Sequence, residues 1–180
     1  SEAEKILEDM KRYIEEHIER VKRSLEENKK KDRELIEKSR KSLEDARKKI
    51  RELLELVRQR KTSEDVLRKS IRELEEDLKK HEEDSERDKR RLEEDHKRHE
   101  DESKKSLDDL ERRLEEVERR GLVSEEILKR IRDLVKELEE RDRRVIEEMK
   151  KSNKRTEDTD REVLERIRRL VERLADEARK

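Results

Sequence analysis

The sequence contains no cysteine, proline, phenylalanine or tryptophan, and it has one glycine, Gly121, and one tyrosine, Tyr13. The absence of cysteine excludes disulfides and thiolate metal sites. Without proline, and with a single glycine, almost nothing interrupts a helix, and most signals for strands and hairpins are missing. We therefore expect an all-α protein.

Long hydrophobic runs are also missing, since none approaches the ~20 apolar residues of a membrane span. The first five residues lack the core of a signal peptide, so we predict no targeting signal and no particular compartment. Basic and acidic residues number 55 and 56 and are interspersed along the whole chain. Because no region carries charge of one sign, we predict no nucleic-acid partner and no membrane partner.

Charged residues make up 62% of the chain and hydrophobic residues 26%, too few for an ordinary globular core. A narrow apolar stripe shared by long helices needs only two or three apolar positions per heptad. The apolar residues recur in steps of three and four, which predicts left-handed coiled-coil packing. In the first part of the chain this stripe consists of Leu7, Met10, Ile14, Ile18, Val21 and Leu25.

Two short segments break the stripe. In the first, Thr62 or Ser63 can act as the N-cap of a new helix. In the second, Gly121 suits the left-handed position after a helix, and Leu122 suits the hydrophobic contact of a Schellman motif. Ser124 can then cap the next helix. Both segments therefore predict a short turn between two helices.

These turns predict helices near 2–60, 64–120 and 125–179. Short loops force neighbouring helices to run antiparallel, so the chain should run up, down and up. We therefore predict an all-α, up-down-up three-helix bundle with left-handed coiled-coil packing and helices of similar length. The bundle is expected to form a single domain over residues 1–180.

The stripe becomes polar near the middle of each predicted helix. With a uniform helical rise, the antiparallel register places Ser39 level with Ser85 and Asn28 level with His96. Polar groups of different helices therefore coincide in layers, which predicts a buried polar network. Its expected members are Ser24, Asn28, Ser39, Ser42, His81, Ser85, His96, His99, Ser103, Ser106, Ser152, Asn153, Thr156 and Thr159.

Buried polar groups cost free energy unless they are hydrogen-bonded. Ser, Thr, Asn and His supply both donors and acceptors, so a connected network can satisfy its own members. Each such bond contributes ~1 kcal/mol, less than a packed leucine. We expect this network to favour one register and one oligomer at some cost in stability.

The chain resembles de novo designed helical bundles with buried hydrogen-bond networks. The resemblance covers all 180 residues and rests on four features. They are the uniform helix lengths, the loop Gly121-Leu122-Val123-Ser124, surfaces filled with Glu, Lys and Arg, and polar residues at positions of the apolar stripe, which we also call seam positions. The resemblance implies specific self-assembly or scaffolding and no catalysis.

The histidines leave two hypotheses open. His81, His96 and His99 lie at or beside seam positions, and His17 should lie level with Ser106. As neutral rings they can be satisfied by Ser or Asn. As a pH switch they would gain charge in mild acid, and a buried charge disfavours the bundle.

A metal site at the pair His96 and His99 is disfavoured because Lys97 and Arg98 lie between them. Enzymatic activity is not predicted, since there is no glycine-rich phosphate loop and no serine or histidine on a strained turn. We accordingly predict no catalytic residue, no cofactor, no metal and no small-molecule substrate.

The function predicted from the sequence is a structural scaffold or self-assembly module whose polar network fixes the register, with a pH response as a further hypothesis. The alternative is a binding module that accepts a fourth helix or another copy of the chain. Doubled apolar positions such as Leu134 beside Val135 motivate this alternative, because they widen the stripe.

Overall fold

The computed structural model describes residues 2–180, which form three helices of similar length. These are α1 (Glu2–Arg58), α2 (Glu64–Arg119) and α3 (Glu125–Arg179). No strand occurs in this described part of the chain. The predicted all-α three-helix bundle is therefore confirmed, and each predicted helix end lies within two residues of the observed one. A single domain over all residues stays a prediction, and Ser1 lies outside the described residues.

The α1 helix ends in a Schellman motif built on a residue other than glycine. Arg60 adopts a left-handed conformation with φ 52°. The amide of Arg60 donates to the carbonyl of Val57 at 3.1 Å, and the amide of Lys61 donates to the carbonyl of Leu56 at 3.0 Å. These two bonds satisfy carbonyl groups that the end of the helix leaves open.

The α2 helix ends in the Schellman motif that the sequence predicts. Gly121 has φ 58°, a conformation that glycine adopts without the steric penalty of a Cβ atom. Its amide donates to the carbonyl of Glu118 at 3.1 Å, and the amide of Leu122 donates to the carbonyl of Val117 at 3.3 Å. The two turns of the chain thus use the same hydrogen-bond pattern with different residues.

The following helices begin at the predicted caps. Ser63 Oγ accepts a hydrogen bond from the amide of Val66 at 3.3 Å, and Ser124 Oγ accepts one from the amide of Ile127 at 3.3 Å. Each serine satisfies one of the open amides at a helix start. Acidic residues follow in both first turns, where they interact favourably with the helix dipole.

Contacts within the chain define two compact units. Unit 1 comprises the residues up to Lys30 together with Glu93–Ser152, and unit 2 comprises Lys31–Leu92 together with Asn153–Lys180. Each unit contains one segment of each helix.

Each unit has its own apolar core, in which a fully buried leucine contributes roughly 1.5–3 kcal/mol. The buried core residues of unit 1 are Met10, Leu110, Leu114, Val117, Leu128, Ile131, Val135 and Leu138. Those of unit 2 are Leu43, Ile50, Leu53, Leu67, Leu74, Val163, Ile167, Val171 and Leu174. All three helices supply residues to each core, as a three-helix bundle requires.

Candidate functional site

A cluster of four buried polar residues lies in unit 1, and we call it the His17 cluster: His17, Ser103, Ser106 and Asp142. Nε2 of His17 lies 2.6 Å from Oδ2 of Asp142, and Nδ1 of His17 lies 2.8 Å from Oγ of Ser106. Ser103 donates its hydroxyl to the same Oδ2 of Asp142 at 2.5 Å. The cluster therefore joins α1, α2 and α3 through three side-chain hydrogen bonds.

Two residues at the edge of the His17 cluster extend it. Tyr13 donates its hydroxyl to the backbone carbonyl of Ser106 at 3.1 Å, and Ser106 Oγ lies 3.3 Å from the Tyr13 hydroxyl. Arg20 donates to Ser106 Oγ at 3.4 Å. The guanidinium of Arg113 lies 4.4 Å from the centre of the Tyr13 ring, a cation–π contact that fixes the ring.

The hydrogen bonds of the His17 cluster satisfy both nitrogens of the imidazole. Nε2 of His17 carries a hydrogen and donates it to Asp142, while Nδ1 accepts the hydroxyl hydrogen of Ser106. The cluster is thus a closed polar unit.

The series Ser106, His17, Asp142 contains the residue types of a hydrolase triad, but its surroundings do not fit that chemistry. Ser106 is 7% exposed and His17 is 2% exposed, so a substrate carbonyl cannot approach the hydroxyl. Hydrolysis also needs donors aimed at a developing oxyanion. The amides around Ser106 are used within α2, since the residue lies in the helix interior. The arrangement can orient three helices.

A second cluster lies in unit 2, and we call it the Asp160 cluster: Ser39, His81, Ser85 and Asp160. Oδ1 of Asp160 accepts a hydrogen bond from Ser39 Oγ at 2.5 Å and one from His81 Nε2 at 3.1 Å. Ser85 also hydrogen-bonds to Asp160. As in unit 1, one carboxylate of α3 receives donors from both other helices.

The pKa of Asp160 reflects a balance between burial and hydrogen bonding. Burial of the carboxyl group raises its pKa, whereas the hydrogen bonds from His81, Ser39 and Ser85 and the charge of His81 lower it. The hydrogen bonds outweigh burial, so the pKa of Asp160 lies below its ordinary value of 3.8. Asp160 is therefore ionised at neutral pH.

A third polar contact joins α1 to α3 in unit 2. Thr156 donates its hydroxyl to Oδ1 of Asp32 at 2.8 Å, and both residues are buried. A hydrogen bond to a buried carboxylate is stronger than one between neutral groups. This contact places a buried carboxylate, Asp32, in unit 2 beside the half-buried Asp160.

His96 belongs to neither cluster and differs from His17 and His81 in its surroundings. Its side chain is 11% exposed, and neither Nδ1 nor Nε2 has a hydrogen-bond partner. Oε2 of Glu100 lies 3.8 Å from Nε2, too far for a hydrogen bond. Burial lowers the pKa of His96, Glu100 raises it and Lys150 lowers it, with a net decrease from 6.5.

His99, three residues further along α2, has a lowered pKa as well. Burial is the main cause, and the positive charges of His96 and His17 act in the same direction. The carboxylates of Asp142 and Glu102 oppose it without reversing it. His96 and His99 thus favour the neutral ring in the folded protein.

The structure places the predicted polar residues in several different environments. Ser39, Ser103, Ser106 and Thr156 are buried and hydrogen-bonded, while His81 and Ser85 are half-buried and bonded to Asp160. Ser39 and Ser85, predicted to lie at the same level, both hydrogen-bond to Asp160. His17 and Ser106, also predicted to lie at the same level, hydrogen-bond to each other. Asn28 is buried, and the remaining members are half-buried: Ser24, Ser42, His96, His99, Ser152, Asn153 and Thr159.

The sequence prediction missed the carboxylates on which the clusters depend. Asp142 and Asp32 occupy positions of the apolar stripe but lie outside the predicted network, which includes Thr159 and not the adjacent Asp160. The spacing contained the signal, because Thr156, Asp160 and Val163 follow the same steps of four and three. The residue type concealed it, since an aspartate is almost never fully buried unless paired.

Two further features of the described residues bear on ligands. Between residues 2 and 180, no group of three or more His, Cys, Asp or Glu side chains is arranged to hold a metal ion. Over the same range, no helix has the length and apolar character to cross a membrane.

These features define a three-helix bundle with buried, carboxylate-centred polar clusters. The chain is similar in fold to a solved structure described as a computationally designed three-helix bundle, with a TM-score of 0.50 and 20% identity. The match covers 99% of this chain and 84% of the other. No protein-family model and no curated protein matches the sequence significantly. The resemblance to designed helical bundles inferred from the sequence is thus confirmed at the level of fold.

Proposed function

We propose that the chain is a designed, non-enzymatic structural scaffold whose buried polar clusters fix the register of its helices. The observation that carries this proposal is the pair of α3 carboxylates, Asp142 and Asp160, each bonded to donors from α1 and α2. A shift of one helix by a turn, about 5.4 Å, would leave a buried carboxylate without donors. Wrong registers and wrong assemblies therefore cost more than the native one.

A designed origin is supported by the regularity of the chain. The three helices contain 57, 56 and 55 residues, and the turns use two Schellman motifs and two serine caps. The similarity to a computationally designed three-helix bundle agrees with this origin. The burial of Ser106 beside His17 and Asp142, which keeps a substrate from its hydroxyl, supports a role without catalysis.

The test replaces the His17 cluster with apolar residues: His17→Leu, Ser103→Ala, Ser106→Ala and Asp142→Leu together. We expect the free energy of unfolding to stay equal or to increase, because well-packed apolar groups often replace a buried ion pair without loss. We also expect several masses in light scattering for this variant and a single mass for the parent chain. A variant with a single unchanged mass and the native helix register would contradict the proposal.

A second candidate function, a binding module for a fourth helix or another copy, has one observation in its favour. Leu134 is 52% exposed and Val66 is 56% exposed, although both are apolar residues of helices. Light scattering over a wide concentration range separates the two functions. A mass that rises with concentration, and that Leu134→Glu or Val66→Glu abolishes, would favour the binding module.

A response of the scaffold to mild acid is the finer part of the proposal. It is supported by the lowered pKa values of His96 and His99, whose causes are given above. A group whose pKa is lower in the folded state makes its full contribution to stability above the pKa that it has in the unfolded state. This contribution is lost as the pH falls below that pKa. Circular dichroism between about pH 8 and pH 4 measures this loss, and an unchanged melting temperature would speak against it.

A further inference from the structure

The four histidines occupy two kinds of environment. His17 and His81 each face a buried or half-buried aspartate, Asp142 at 2.6 Å and Asp160 at 3.1 Å. Each of these rings therefore has a carboxylate acceptor in place. His96 has no such acceptor, since both of its ring nitrogens are inaccessible and without a hydrogen bond. A proton added to His96 therefore creates a charge that the fold does not satisfy.

We infer that His96 is an acid-sensitive opening point, at which protonation loosens unit 1 while unit 2 stays closed. This inference rests on the scaffold proposed above and gives its acid response a location. The opening follows from the cost of a buried, unpaired charge, which is lower when the ring reaches water. His96 can reach water when the adjoining turns of α2 move away from their neighbours. Unit 2 contains one histidine, His81. Its partner Asp160 stays ionised in mild acid, because the pKa of Asp160 lies below 3.8.

The charged groups around His96 do not compensate for its protonation. On α2, Glu100 attracts the charged ring, but its side chain is 48% exposed, so solvent weakens the attraction. On α3, Lys150 repels the charged ring. On α1, Asn28 is the residue expected at this level and does not titrate, while Lys29 is paired with Glu148 at 2.7 Å.

The neighbouring His99 adds to the effect. It lies between attractive carboxylates, Asp142 and Glu102, and two positively charged neighbours in acid, His96 and His17. Protonation of one of these rings disfavours protonation of the next, which spreads the response over a broader pH range. The buried carboxylate of Asp142 attracts a charged His99, whereas the carboxylate near His96, Glu100, is 48% exposed, so His96 is the ring whose charge the fold tolerates least.

The experiment is hydrogen exchange with mass spectrometry on the whole chain at about pH 7.5 and about pH 5.5, corrected for intrinsic exchange rates. We expect protection of the α2 segment 93–106 to fall at least about threefold in acid, because burial lowers the pKa of His96 and an opened segment therefore binds the proton more readily than a closed one. Peptides from 163–174 in unit 2 should change less than about 1.5-fold. Equal losses in both segments, or none, would overturn the inference.

Two variants assign the effect to one ring. In His96→Leu the ring and its charge are removed, and in His96→Gln a polar side chain that cannot titrate replaces it, which guards against a packing defect. Both should abolish most of the acid-induced loss of protection in segment 93–106. The matched control is His99→Gln, which should retain more than half of the loss. If His99→Gln removes the loss and His96→Gln does not, the inference is wrong.

This outcome is separate from that of the scaffold proposal. A parent chain with mixed masses at about pH 7.5 would count against the scaffold, yet segment 93–106 would still report on His96. A single mass with no local change in acid would leave the scaffold intact and exclude His96 as the opening point.

Discussion

The Nε2 atom of His17 lies 2.6 Å from Oδ2 of Asp142, and the two residues are 2% and 4% exposed. Such a contact joins α1 to α3 at a depth where water cannot replace either partner. Ser103 donates to the same carboxylate oxygen, so Asp142 depends on two donors from two helices. Removing either side of the contact therefore costs more than the contact contributes, because the remaining partner stays buried.

Replacing the carboxylate tests this dependence directly. We expect Asp142→Ala to lower the free energy of unfolding by about 3 kcal/mol, since it leaves His17 and Ser103 buried without their acceptor. Denaturation with urea at neutral pH measures the loss. The control is Asp133→Ala, a change at an exposed aspartate of the same helix, which should alter stability by less than about 0.5 kcal/mol. Equal losses in both variants would contradict the structural role of Asp142.

The Asp160 cluster predicts a difference in acid stability below the range in which histidine titrates. Asp160 has a lowered pKa in the folded state, so its contribution to stability is complete above about pH 3.8. The contribution is lost as the pH falls from there through the lower pKa of the folded state. In Asp160→Asn this contribution is absent. We expect the variant to be less stable than the parent at neutral pH and the gap to shrink below about pH 4.

Thermal melts of the two proteins in steps between about pH 6 and pH 2 provide the measurement. The control is Asp158→Asn, at an exposed aspartate of the same helix, which should parallel the parent. A gap between Asp160→Asn and the parent that stays constant across this range would show that Asp160 does not titrate as described.

The left-handed Arg60 predicts a stabilising change. Arginine at φ 52° bears a steric cost that glycine avoids, while glycine loses more entropy on folding. We expect Arg60→Gly to raise the free energy of unfolding by about 0.5–1 kcal/mol. Arg58→Gly, in the last turn of α1, is the control and should lower it by about 0.5–1 kcal/mol. An unchanged or lower stability of Arg60→Gly would show that Arg60 is not strained.

A pair of carboxyl groups on neighbouring helices predicts a second stabilising change. A hydrogen bond to Glu139 raises the pKa of Glu111, and burial and the negative charges of Glu139 and Asp108 act in the same direction. At neutral pH the two side chains repel each other. We expect Glu111→Lys to raise stability by about 0.2–1 kcal/mol at low salt, and by less at high salt.

Glu115→Lys changes the charge of the chain equally, at another exposed position of α2, and serves as the control. It should give a smaller gain than Glu111→Lys. If both variants gain equally, the effect belongs to net charge and not to the contact between Glu111 and Glu139.

The helices, their turns and their caps could be predicted because each depends on residues close in sequence. Gly121 and Ser124 identify a turn by their own conformational preferences. Arg60 could not be recognised in this way, since an arginine carries no preference for the left-handed conformation. Arg60 takes, in the α1–α2 turn, the place in the hydrogen-bond pattern that Gly121 takes in the α2–α3 turn.

The polar clusters were predictable in position but not in composition. Periodicity and register place Ser39 level with Ser85, and these serines do share a partner. That the partner is Asp160 depends on a balance between burial and three donors, which no single helix reveals. The same holds for His96, whose lack of a partner is a property of all the residues around it.

Tyr13 is the one tyrosine of a chain without tryptophan, and its hydroxyl donates to the Ser106 carbonyl beside the His17 cluster. All near-ultraviolet fluorescence of the protein therefore originates at a single position in unit 1. The emission reports on this position alone, so the unfolding of unit 1 can be followed optically without an attached dye. Comparison of this signal with helix content reveals whether unit 2 unfolds at the same time.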